Sequence, residues 1–81
     1  MANADTLERV IKVTARVLGL GPETIRPSSH FVLELGAESV QSVELVAAFE
    51  EEFGIEMDED AALAVETVEG AAEFIDKHLN A

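Results

Sequence analysis

The chain has 81 residues, with 17 acidic side chains against five Lys or Arg and a formal net charge of −12, which describes one small acidic domain spanning residues 1–81. Such a charge disfavours nucleic acid and anionic membrane as partners, because like charges repel, and favours a basic protein surface, whose approach the field steers. The absence of cysteine excludes a disulfide framework and a thiolate metal site.

The remaining composition narrows the class further. Hydrophobic residues make up 48% of the chain, yet the only aromatics are four Phe, so the core must be largely aliphatic. The apolar stretches run only a few residues, so neither a transmembrane span nor a signal peptide is expected, and a cytoplasmic, monomeric protein is the plain reading. The charges are also unevenly placed. Arg9, Lys12, Arg16 and Arg26 lie in the first third, while every charged residue from Glu34 to Asp76 is an acid.

Asp5, with Glu8 three residues on, resembles the start of a capping box. Leu7, Val10, Ile11, Thr14, Val17 and Leu18 then recur with the spacing of one helical face, and Arg9, Lys12 and Arg16 lie around the other side as solvated charges. Gly19 and Gly21-Pro22 end this first helix. A long connection follows from about Leu20 to Glu38. Pro22, Pro27, Ser28, Ser29 and Gly36 punctuate it, and Ile25, Phe31, Val32 and Leu35 make it apolar enough to pack. His30, beside Phe31, reads as a structural loop residue.

A second helix is expected from about Ser39 to Phe53, with Leu45, Val46, Phe49 and Phe53 facing inward and Gly54 as its C-terminal cap. Ile55 and Met57 are apolar anchors before Asp58-Glu59-Asp60, which suit the first turn of a short third helix reaching about Ala64. Thr67 reads as the cap of a fourth helix, whose inward residues are Val68, Ala71, Ala72, Ile75 and Leu79. Gly70 weakens it slightly, and Lys77 and His78 favour its C-terminal end. No segment has convincing strand alternation. The expected fold is all-α, a small antiparallel four-helix bundle of three longer helices and one short third helix, with a long first loop.

Two kinds of chemistry are set aside. Asp58 and Asp60 imitate the start of a calcium loop, but Leu63 occupies the sixth position, where a glycine is needed, so no metal site is expected. A serine–histidine–acid site would pair Ser39 with His30 or His78, and nothing in the pattern suggests the cleft it needs. The residue best placed for chemistry is Ser39. Gly36 makes a turn and an acidic helix starts at once, so the hydroxyl sits at a helix N-terminus, where orphan amides and the helix dipole favour a phosphate.

The stretch from about Phe31 to Ile75 resembles an acyl carrier protein. Members of that family carry a loop close to F-x-x-D-L-G-x-D-S-L, followed by an acidic helix resembling V-E-L-V-x-x-x-E-E-E-F. This chain has Phe31-Val32-Leu33-Glu34-Leu35-Gly36-Ala37-Glu38-Ser39-Val40, then Val43-Glu44-Leu45-Val46, then Glu50-Glu51-Glu52-Phe53-Gly54-Ile55-Glu56. The resemblance implies that Ser39 receives 4′-phosphopantetheine from coenzyme A through a separate phosphopantetheinyl transferase. Acyl groups would then ride as thioesters on the arm's thiol, and the carrier itself would catalyse nothing.

It further implies docking to basic patches on acyl-transferring or condensing enzymes through Glu38, Glu44 and Glu51, with Val40 and Gln41 beside the attachment site. A cleft for the acyl chain would be lined by Val46, Phe49, Ile55, Ala62, Leu63 and Ile75. The chain departs from the family pattern at Glu38 (usually Asp), Val40 (usually Leu), Gln41 (often an acid) and Ala47 (often bulkier). Fatty-acid and specialised polyketide or lipid-like pathways both fit the pattern, as do an aminoacyl or D-alanyl carrier and an unmodified acidic adaptor.

Overall fold

Asn3 begins the first helix: its side-chain oxygen accepts the amides of Asp5 at 2.8 Å and Thr6 at 3.4 Å, as an N-cap should. The cap is thus Asn3 rather than Asp5, and Asp76 fixes the choice by accepting the Asn3 amide at 2.6 Å. Helix α1 runs Ala4–Leu18 and ends at Gly19, whose φ of 69° lies in the left-handed region. A 3₁₀ turn at Pro22–Thr24 opens the long connection. Helices α2 (Ser39–Phe53), α3 (Glu59–Leu63) and α4 (Val68–Leu79) follow. The computed structural model describes residues 2–80, and among them no strand forms. The nearest thing is one isolated antiparallel bridge between His30 and Thr67.

The helices pack around α1, which lies against both α2 and α4. Its N-terminal turn meets the C-terminal half of α4, where Asp76 Oδ1 accepts the Thr6 hydroxyl at 2.6 Å, so the two helices run antiparallel. The core joins Val10 and Val13 to Leu45, Phe49, Val68, Ala72 and Ile75. Thr14 is fully buried, and its hydroxyl is satisfied by the Val10 carbonyl one turn back, at 2.7 Å. The buried stripe of α1 is wider than its spacing predicts, because Thr6, Val13 and Ala15 also go inside.

Arg9 departs from the expected solvated role. Its Nε donates to Glu52 Oε2 and its Nη2 to the Glu52 carbonyl, both at 2.9 Å, and the guanidinium lies 4.3 Å from the centroid of the Phe53 ring. It therefore staples mid-α1 to the end of α2, which leaves Phe53 half-buried rather than fully inward. Leu79, expected to face the core, is 44% exposed, since α4 there has run past the body of α1.

The long connection is packed. Ile25, Ser29, Phe31 and Ala37 are buried, whereas Val32 is 52% exposed, against expectation. Backbone bonds fasten this loop to the approach and start of α4: Phe31 N–H to the Glu66 carbonyl, Val68 N–H to Ser29, and Glu69 N–H to Pro27. Thr67 caps α4 by accepting the Gly70 amide at 3.1 Å. A Cβ on Gly70 would lie 3.1 Å from the Thr67 hydroxyl and 3.2 Å from Val65, so this close approach explains a glycine inside a helix.

Candidate functional site at the start of helix α2

Gly36, at φ 73°, turns the chain, and Ala37 anchors it by burying its side chain and donating its amide to the Phe31 carbonyl at 2.8 Å. Glu38 then caps α2, and its own amide donates to Gln41 Oε1 at 3.0 Å. Gln41 thus has a structural duty beside its predicted docking one. The first backbone bond of the helix runs from Ser42 N–H to the Glu38 carbonyl at 2.9 Å, so the amides of Ser39 and Val40 lie ahead of it.

Ser39 is exposed at the first helical position. A phosphate ester on its hydroxyl would meet the positive end of a 15-residue helix, an interaction of roughly 0.3–1 kcal/mol at an exposed terminus. No charge would be buried by adding one there. The site therefore fits a phosphate-linked arm.

One face of α2 looks outward. Val40, Val43, Glu44, Ala47 and Glu51 share it at helical spacing and all are exposed, Val40 by 71%. Glu38 is exposed beside them. This face combines apolar side chains with carboxylates, and no Lys or Arg lies between Glu34 and Asp76 to neutralise it.

A cavity of about 360 Å³ opens between the long connection, α2, α3 and the approach to α4. Val46, Ala62 and Leu63 of the predicted cleft line it. Phe49 and Ile75 line instead an adjoining crevice of about 20 Å³, which shares Val46, Ala62, Val65 and Ala71 with the larger space. Ile55 lines neither of these two spaces and packs against the core from the α2–α3 connection. Sequence reasoning missed His30, Phe31, Val32, Ser42, Leu45, Val65, Glu66 and Ala71. Ser42 had a signal: it lies one turn beyond Ser39 and one turn before Val46, so one helical face leads from the candidate serine into the cavity.

The family model for the phosphopantetheine attachment site matches residues 8–75, which include this exposed helix-start serine. The chain belongs to that family. It is a phosphopantetheine-bearing carrier, and its prosthetic group is covalently attached 4′-phosphopantetheine. When bound, that group supplies a thiol on a flexible arm, to which cargo is esterified. Carrier domains of the family are generally non-catalytic and work with modifying and acyl-handling enzymes. Among the described residues no helix is long and apolar enough to cross a membrane.

Proposed function

We propose that this carrier holds its 4′-phosphopantetheine on Ser39 and delivers acyl thioesters, in the cytoplasm and as a monomer, to enzymes of fatty-acid or specialised polyketide or lipid-like biosynthesis. The observation that carries this reading is the exposed Ser39 at the start of α2, with Ser42 and Val46 leading from it into the 360 Å³ cavity. The hydroxyl oxygen of Ser39 forms the phosphodiester, and the helix terminus stabilises the charge it bears. Val46, Ala62 and Leu63 give an alkyl chain an apolar wall, with Phe49 and Ile75 deeper, and the volume falls in the range of small-molecule sites.

Glu38, Glu44 and Glu51 present the acidic face on which basic patches of the transferase and of condensing or acyl-transferring enzymes dock. Val40 gives that contact an apolar centre, with Gln41 at its edge. Exposed carboxylates act mainly on association rate and salt dependence.

Intact mass decides the attachment. Incubated with coenzyme A and a broad-specificity phosphopantetheinyl transferase, the unmodified protein should gain one phosphopantetheine and Ser39→Ala none. If the variant gains the same mass, another residue carries the arm. If neither gains it while a control carrier does, a dedicated transferase or the adaptor reading replaces this one.

A further inference from the structure

His30 ties together separate pieces of the cavity's wall. Its Nδ1 accepts the amides of Val32 at 3.2 Å and Leu33 at 3.1 Å, and its own amide donates to Glu34 Oε1 at 3.0 Å. The residue is therefore the cap of the turn at 31–35, with Glu34 as the reciprocating carboxylate. Across the cavity mouth, His30 Nε2 lies 3.0 Å from Glu66 Oε2, and the Phe31 amide donates to the Glu66 carbonyl at 2.9 Å. A ring nitrogen that receives two N–H donors holds no hydrogen, so the neutral ring carries its proton on Nε2 and donates it to Glu66. His30, Phe31, Val32 and Glu66 all line the cavity.

We propose that His30 is a positioning residue for this cavity: neutral, it holds the 31–35 turn against the approach to α4, and a second proton releases that turn. The second proton has only Nδ1 to occupy, and there it displaces both amides from their acceptor. The charged group at the ring is Glu66, while the Glu34 carboxylate on the turn accepts the His30 backbone amide. The walls contributed by α2 (Ser42, Leu45, Val46), α3 (Ala62, Leu63) and α4 (Ala71) bring no titratable side chain. Glu66 favours the charged ring, but its side chain is 73% exposed, so solvent screens that attraction, while a protonated Nδ1 no longer accepts either amide. The cap is thus complete while the ring is neutral and is lost once Nδ1 carries a proton. Resting on the carrier reading, this makes the cavity's hold on an acyl chain weaker in acid.

The test is an NMR titration of the ¹⁵N-labelled, unmodified protein from about pH 8 to about pH 5, the span over which histidine rings ordinarily titrate. The His30 ring should show the Nε2–H tautomer at the high end, and the Val32 and Leu33 amides should move with its midpoint. In His30→Asn the side-chain oxygen still caps the turn but does not titrate, so both amides should stay in place across the range. An Nδ1–H ring at high pH, or amides that ignore the ring's titration, would overturn the proposal.

The link to cargo is read on protein loaded with octanoyl-phosphopantetheine. Hydroxylamine cleavage of wild type relative to His30→Asn should be near unity at the high end and rise about two-fold or more at the low end. A flat ratio sinks that link. Failure of the carrier reading itself would appear separately, as no phosphopantetheine gain by mass.

Discussion

The α1–α4 pair and the face around the start of α2 use the same kinds of side chain to opposite ends. Between α1 and α4, Val10, Thr14, Val68, Ala72 and Ile75 are at most 1% exposed, and Asp76 locks the helix ends together through Asn3 and Thr6. Around the start of α2, Leu33 is 81%, Val40 71% and Val32 52% exposed, beside a cavity of about 360 Å³. The difference is one of cover. Helix α4 has 12 residues to lay across α1, whereas α3 has five, only about 8 Å of helix, and cannot close the space it borders. Stability is thus concentrated where elements are long enough to cover one another, and a site is left where they are not.

Substitutions should separate the two regions. The largest stability loss is expected from Ile75→Ala, which removes a side chain only 1% exposed and enlarges the small crevice beside it: about 2–5 kcal/mol by chemical denaturation. A loss below about 1 kcal/mol would mean that the α1–α4 interface is not the stable half. Asp76→Ala comes next. It leaves the buried Thr6 hydroxyl without its acceptor and frees the Asn3 amide, for about 1–3 kcal/mol. Asp76→Asn, which keeps an acceptor, should recover part of that loss, and equal losses in the two variants would assign the effect to charge instead.

The smallest effect on folding belongs to the open face. Glu44→Gln should leave stability within about 0.5 kcal/mol, as exposed positions do. In stopped-flow it should slow association with a basic partner enzyme roughly two- to five-fold at low salt, and less at high salt. A rate that is unchanged at low salt would remove Glu44 from the docking face.

What was legible in the sequence followed from short-range chemistry. The span of α2, the Gly54 stop and the Thr67 cap depend on residues within one turn of each other, so spacing reveals them, whereas Asp58, expected in the first turn of α3, is its N-cap. The start of α1 was not decidable that way. Asn3 and Asp5 are both competent caps, and the choice rests on Asp76, 73 residues away, holding the Asn3 amide. Arg9 looked like a solvated charge because its partners, Glu52 and Phe53, lie on another helix. The cavity was half legible. Val46, Ala62 and Leu63 lie on predicted helices near Ser39, but His30 and Glu66 meet only because the loop folds back onto the start of α4.

The sequence alone determined an acidic four-helix chain with a serine at the first residue of its second helix, because capping, turn and periodicity signals act over a few residues and survive without tertiary context. Only the tertiary structure decided which apolar side chains are covered, which carboxylates are fastened, and where a cavity stays open. Those outcomes depend on the lengths and angles at which distant helices meet, and no local window of sequence contains them.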